Sequence, residues 1–435
     1  MDYLIKSGKK SHSHYSLEES HIYFEKTYKT LTADGEDLGE NRELFIDLLI
    51  RWAVVFNFRG DFKGLTNLLT PHEDLVRTLE NQSKLGVYYL WLGWAYERRL
   101  MFKESYRYLI KATELGEEYN REEIITSAST YLIWTCTDLG LFDEAMNLVE
   151  RIRKNSKFSQ GEFQLCWCGF AYAKWLMGEG DPCIDAGNLL LENGLKYKDN
   201  RSSTLGQIAI GWGFYAKGNY PKVIECFREA SEIALDPQFR CDARFMLGFC
   251  YIAEMKFTAA ESIVDELLQF NKEYGFEFMG EPARTLEGVV NLSNGNFQRG
   301  LDLLKKSEQK YSKNGARVRL AWQEQLLGNF YFKLAQSPVK FNLPLGIKST
   351  IFLLKSIPFA SKKAEAHLKK SIELSSEIGA GGVLGPALLD LGLFYTFKKR
   401  TDKAENYLSR AIEIFREKNN QVYLNKAEEA LDSIA

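Results

Sequence analysis

Leu92-Gly93-Trp94-Ala95-Tyr96, Leu247-Gly248-Phe249-Cys250-Tyr251, Leu327-Gly328-Asn329-Phe330-Tyr331 and Leu391-Gly392-Leu393-Phe394-Tyr395 share one form: leucine, glycine, two residues, tyrosine. Looser copies stand at Trp52-Ala53…Phe56, Ile133…Cys136 and Ile210-Gly211…Phe214. The small position of each copy falls at Ala53, Gly93, Ile133 (degenerate), Ala171, Gly211, Gly248, Gly288, Gly328 and Gly392, in steps of 40, 40, 38, 40, 37, 40, 40 and 64. A near-constant period over most of a chain marks a repeat architecture, in which each unit completes its core against its neighbours.

Seven residues after the small position comes a helix stop, filled by Gly60, Gly140, Gly178, Gly218 and Gly295, and elsewhere by Leu100, Met255 and Lys399. Glycine there takes a left-handed backbone conformation without steric cost and closes the first helix of a pair. Five residues further a small residue recurs at Ser105, Ala145, Ala260, Gly300 and Ala404, with an apolar residue four on at Leu109, Val149, Val264, Leu304 and Leu408. That spacing puts each couple on one helical face. Two amphipathic helices per period, closely apposed through small residues, predict an all-α chain: an alpha-alpha superhelix.

The pattern resembles the tetratricopeptide repeat (TPR), best seen from Gly218-Asn219-Tyr220 through Phe227 and Ala230. The resemblance implies a right-handed solenoid of about nine or ten helical pairs over residues 1–435, with a C-terminal capping helix at 421–435. These units run near 40 residues, where the family norm is about 34. More specifically, the chain looks like the C-terminal TPR arm of bacterial multidomain class III adenylate/guanylate cyclase–ATPase signalling proteins. Tyr3-Leu4-Ile5-Lys6 with Glu18-Glu19-Ser20, the run from Tyr131 to Ala145, and Val339 to Ala364 carry that closer likeness. No G-x-x-x-x-G-K-[ST] phosphate loop occurs, and Gly178-Glu179-Gly180-Asp181 is too short and acidic to cradle a phosphate. Neither cyclase nor ATPase activity carries over, so the expectation is a fragment without the catalytic portion, or a stand-alone relative of the arm, and not an enzyme.

Composition narrows the partner classes. Lysine plus arginine (56) nearly balances aspartate plus glutamate (58), which argues against nucleic acid as a partner of the whole chain. No stretch of 18 apolar residues is present and Met1 to Lys10 lacks a signal-peptide core, which suggests a cytoplasmic protein without a transmembrane segment. The seven cysteines sit in helical patterns and suit buried apolar positions in a reducing compartment. Cys166, Cys168 and Cys183 lack a fourth ligand nearby, and the five histidines form no H-E-x-x-H. His14 and His21, seven apart, read as a solvated face rather than an ion site. No cofactor and no metal are expected.

One residue past each small position stand Trp94, Trp134, Tyr172, Trp212 and Phe249 in five consecutive repeats. In the TPR family this position tends to face the concave side, which implies a partner-binding groove of Trp94, Arg98, Trp134, Asp138, Tyr172, Trp212, Tyr215 and Phe249. The other reading is that the rings pack only against adjacent first helices. Arg98, Arg99, Lys103 and Arg107 make a basic cluster that the glutamates at 97, 104 and 114 dilute, so it reads as a solvated face. The 64-residue step predicts an insertion over 337–359, bounded or interrupted by Pro338, Pro344 and Pro358, before a second helix at Ala360 to Leu374. Its apolar residues Ile347, Ile351, Phe352, Leu353 and Leu354 are expected to make a contact. The chain is therefore expected to bind a protein or peptide, or another domain of its parent. A small-ligand-sensing solenoid and an oligomerisation scaffold are the alternatives.

Overall fold

The computed structural model describes residues 17–33, 38–79, 82–155, 159–274, 277–336 and 347–434. These residues form helices and turns, with no strand among them. In chain order the helices are α1 (Leu17–Leu31), α2 (Arg42–Arg59), α3 (Phe62–Leu69), α4 (Glu73–Arg77), α5 (Gln82–Arg98), α6 (Phe102–Glu118), α7 (Glu122–Leu139) and α8 (Phe142–Asn155). They continue as α9 (Gln160–Leu176), α10 (Gly180–Tyr197), α11 (Asn200–Ala216), α12 (Tyr220–Ile233), α13 (Pro237–Ala253), α14 (Phe257–Tyr274) and α15 (Glu277–Ser293). The last are α16 (Phe297–Asn314), α17 (Arg317–Gln336), α18 (Ile347–Glu377), α19 (Gly381–Phe397), α20 (Thr401–Glu417) and α21 (Gln421–Asp432). The fold is an all-α, TPR-like alpha-alpha solenoid of paired helices. No helix among the described residues is long and apolar enough to cross a membrane.

The turn within each pair follows from the residue seven past the small position. Gly60, Gly140, Gly178, Gly218 and Gly295 have φ of 71°, 80°, 83°, 72° and 82°, and Leu100, Met255 and Lys399 are forced into the same left-handed region at 58°, 57° and 53°. Backbone bonds that wrap the helix end accompany them, as in Leu141 N–H to Cys136 O (2.8 Å) and Glu179 N–H to Lys174 O (2.8 Å). The geometry belongs to the turn, since side-chain-bearing residues adopt it despite their steric cost.

Close approach of the two helices explains the small residues. A Cβ added at Gly93 would stand 2.5 Å from Leu109 Cγ; at Gly328, 2.6 Å from Leu368 Cγ; and at Gly392, 2.7 Å from Leu408 Cγ. Each leucine fills the notch its glycine leaves, and all three are fully buried. These contacts are local in the repeat, so the same lock recurs wherever the sequence repeats it.

The chain divides into two compact units. One comprises Met1–Leu132 with Gln269–Phe278, and the other Ile133–Leu268 with Met279–Ala435. In the first, Phe45, Ile46, Leu49 and Val55 of α2 and Leu65 and Leu69 of α3 make a core with almost no exposure. There His21 Nδ1 accepts a 3.0 Å bond from Trp52 Nε1, while His72 Nε2 lies 3.0 Å from the Tyr28 hydroxyl. Burial, with Arg59 nearby, lowers the pKa of His21 below its ordinary value. His21 is thus held as a packed acceptor rather than on a solvated face; its companion His14 lies outside the described residues.

In the second unit, the long step between Gly328 and Gly392 is taken up partly by helix. The second helix of that repeat, α18, begins at Ile347 and continues through Pro358 to Glu377, rather than beginning at Ala360. Proline removes one i to i−4 bond, here to Leu354. Leu354 is 70% exposed and Pro358 is exposed too, so the gap opens toward solvent. Residues 337–346 of the expected insertion lie outside the described residues, as do the side chains of 347–350, Ile347 included. At the C-terminus α21 buries Leu424, Ala427 and Ala430.

Candidate functional site

In the second unit the first helices α7, α9, α11 and α13 carry the aromatic stripe, and the rings of α7, α9 and α11 lie against one another. Trp134 and Tyr172 stack at 5.4 Å with 21° between planes, Tyr172 and Trp212 are 5.3 Å apart, and Trp212 stacks on Trp175 at 5.6 Å and 0°. Tyr215 meets Trp175 edge-on at 5.8 Å. Trp134 donates through Nε1 to Leu165 O at 3.0 Å. The helical repeat brings residues about 40 apart onto one line, and offset ring pairs at these distances are favourable beyond their burial.

The stripe is buried, and much of what covers it comes from the chain's own C-terminal helices. Trp134, Tyr172, Trp212 and Phe249 are 6%, 8%, 6% and 7% exposed. Trp322 of α17 sits 4.7 Å from Phe249. Arg319, one turn earlier on α17, donates through Nε to Asp138 Oδ1 at 2.7 Å and lies 3.4 Å from the Tyr172 hydroxyl. That hydroxyl donates to Asp138 Oδ1 at 3.2 Å. Asp138 is 1% exposed. Burial disfavours the Arg319 charge, but Asp138, Tyr172 and Tyr311 more than offset this and raise its pKa well above the ordinary value.

Further along the stripe, the turn after α9 meets the start of α19. A Cβ on Gly178 would lie 3.0 Å from Gly382 N, and one on Gly382 would lie 2.6 Å from Trp175 O. Glu179 binds both Lys174 (2.7 Å) and Lys418 (3.1 Å); burial pushes its pKa up, and the two lysines bring it below the usual carboxylate value. Asn420 donates to Ala216 O, and the hydroxyls of Tyr220 and Tyr423 are 2.6 Å apart. The Gly178-Glu179-Gly180-Asp181 stretch is thus a seat for another turn of the same chain. A cavity of about 30 Å³ remains here, lined by Trp175, Tyr215, Gly382, Lys418, Asn420 and Tyr423 among others; it has room for water and little else.

On α19, Asp390 accepts from the side-chain amides of Gln325 and Asn329 of α17, each at 2.9 Å. Burial raises its pKa, and the two amides recover only part of that.

The first unit holds Trp94 and Arg98. Trp94 is 2% exposed, stacks on Tyr131 at 4.3 Å and donates to Asn57 Oδ1 at 2.8 Å. Arg98, 2% exposed, covers the Trp94 ring at 4.7 Å and binds Glu97 at 2.5 Å. Arg99 donates to Thr66 and Arg107 lies over Tyr108. Of the basic cluster around Leu100, Arg98 is buried and Arg99 half-buried, whereas Lys103 and Arg107 are exposed, so the solvated-face reading fails for Arg98 and holds for those two.

Of the expected contact residues in α18, Leu353 is buried, Phe352 is half-buried and stacks on Phe297 at 5.3 Å, and Ile351 and Leu354 are exposed. All seven cysteines are buried without disulfides. Burial pushes the thiols of Cys166 and Cys250 up to about 12 and that of Cys226 up to about 11, so the thiolate needed for a nucleophile or ligand is disfavoured. The Cys183 thiol donates to Ala171 O at 3.1 Å. Sequence reasoning missed Arg319, Glu179, Lys418 and Asp390, whose partners lie far away in the chain; the paired glycines at Gly178 and Gly381-Gly382 were the available signal.

No protein-family model and no curated protein matches the sequence. Among solved structures the chain is similar to the APC/C hetero-tetramer Cut9–Hcn1, at 13% identity over 100% of this chain and 96% of that one, with a TM-score of 0.36. It is also similar to a Rap protein complexed with competence and sporulation factor (12% identity, 93% and 99% covered, TM-score 0.43) and to yeast Tom70 (11% identity, 98% and 95% covered, TM-score 0.28).

Proposed function

We propose that this chain is a non-catalytic TPR-type scaffold that recognises protein segments along the aromatic inner side of its first helices. The observation that carries this reading is that the stripe of the second unit already receives helix-borne groups from elsewhere in the chain: Arg319 on Asp138, Trp322 on Phe249, and Tyr423 beside Tyr215 around one small cavity. Flat rings supply contact area at low entropic cost, and buried acids fix the register of an incoming helix. A partner that uses Trp134, Asp138, Tyr172, Trp212, Tyr215 and Phe249 competes with α17, α19 and α21 for them.

The placement of this scaffold as a sensing arm of a bacterial, cytoplasmic cyclase–ATPase signalling protein rests on the resemblance of Tyr131–Ala145 and Val339–Ala364 to such arms. In that setting the partner is another domain of the parent protein. The small-ligand alternative gains no support from the cavity beside Trp175 and Tyr215, which is too small for a metabolite. Affinity capture with the full chain, read by mass spectrometry, tests the proposal. A protein recovered in defined stoichiometry and crosslinked to α9–α13 supports it. A small molecule retained in native mass spectra, with no protein recovered, would overturn it.

A further inference from the structure

We infer that the N-terminal half of α18 docks on an anionic lipid bilayer. This goes beyond the protein-recognition reading and does not depend on it. Between Glu324 and Glu365 the sequence contains six lysines, at positions 333, 340, 348, 355, 362 and 363, and no acidic residue. The chain as a whole carries a formal charge of only −2, so this stretch is a local reversal of its charge balance.

The described part of that stretch has two faces. Leu353, Ser356 and Ala360 are buried, and Ala364 continues that side. On the opposite side Ile351, Leu354 and Phe359 are 46%, 70% and 58% exposed. At 100° per residue, Ile351, Leu354, Lys355, Pro358, Phe359 and Lys362 share one outward arc. Lys355 and Lys362 are exposed and form no ion pair among the described residues. A groove of about 640 Å³ that reaches Phe352 is lined by Phe297 and Leu303 as well, together with Lys306, the acid Asp302 and Arg299, which is paired with Glu287.

Soluble proteins rarely leave three large apolar side chains together on one helix without a use for them. Interleaved lysines reject a second cationic copy of this face and attract an anionic one. A bilayer surface satisfies both demands at once: apolar side chains enter the interface while lysines snorkel to acidic headgroups. Pro358 on the outward arc suits that setting, because its missing N–H bond leaves the Leu354 carbonyl facing the headgroup region.

The test is co-sedimentation of the full chain with vesicles of phosphatidylcholine alone, and with a fifth of that lipid replaced by phosphatidylglycerol. Binding is expected only to the second kind, falling with salt. Lys355→Glu with Lys362→Glu, and separately Leu354→Ser with Phe359→Ser, are expected to weaken it by about tenfold or more. Both pairs are exposed, so thermal melting should be unchanged. Equal binding to the two vesicle types, no binding, or variants that bind like wild type would each overturn the inference. So would a concentration-dependent dimer that Leu354→Ser and Phe359→Ser dissolve, since the occupant of the face would then be a second copy.

Discussion

Gly382 shows how much a single missing methyl group decides. It lies in the first turn of α19, and its Cα faces the carbonyl of Trp175 so closely that a Cβ would stand 2.6 Å away. Backbone cannot swing aside as a side chain can. Gly382→Ala is expected to cost about 1–3 kcal/mol, read as a lower melting temperature, together with faster amide exchange in the turn at Gly178. A melt unchanged from wild type would mean that the two turns are not in contact in solution. His21 gives the residue scale a pH dependence. Its folded pKa lies below the unfolded value of 6.5, so the unfolded state binds more protons between the two. The stability conferred by the neutral ring is full above about pH 6.5 and is lost as pH falls toward the lowered value. His21→Gln, which keeps an acceptor for Trp52, should flatten the acid side of the stability profile of the first unit. A profile that stays equally steep would assign the acid sensitivity to other groups.

At the scale of elements, α18 and α19 show where sequence reading succeeds and where it stops. The turn positions from Gly60 to Lys399 were legible because each is set by its own repeat, within seven residues of a small position. The leucine partners of the glycines were legible for the same reason. The start of α18 was not, because Pro358 reads as a breaker wherever its surroundings are unknown; only the exposure of Leu354 explains its tolerance. The stripe from Trp134 to Phe249 was legible as a line of rings, and packing against adjacent first helices was one of its two readings; its cover by α17 was not legible, since Arg319 and Asp138 are 181 positions apart and share no periodic signal. Asp390 on α19 makes a prediction at this scale. Burial raises its pKa, so ionising it costs folding energy as pH climbs through the window from 3.8 upward to the raised value. Asp390→Asn removes that cost and still accepts from Gln325 or Asn329. It should raise the melting temperature at neutral pH by a few degrees, with the gain vanishing near pH 3–4. A drop in stability at neutral pH would show that the carboxylate charge is required there.

For the whole molecule, the second unit holds part of its own chain against the aromatic stripe that we propose as a recognition surface. Arg319 and Asp138 are the most buried charged pair in that contact, with their side chains 19% and 1% exposed. Removing Arg319 alone leaves the acid unpaired and should cost about 3–5 kcal/mol. Arg319→Met with Asp138→Asn relieves the orphaned charge and should cost much less, so the two changes are strongly non-additive in thermal melts. Arg319→Met by itself is expected to loosen α17 from the stripe while keeping Asp138 free for an incoming group. The most direct test of self-occupancy is therefore the affinity of the captured partner protein for Arg319→Met, which leaves Asp138 in place, and for wild type, measured by titration calorimetry on the full chain. Competition predicts tighter binding to the variant, because less of the binding energy goes into displacing α17. Equal or weaker affinity, with the variant folded and its α17 contacts shown by hydrogen exchange to be loosened, would contradict it.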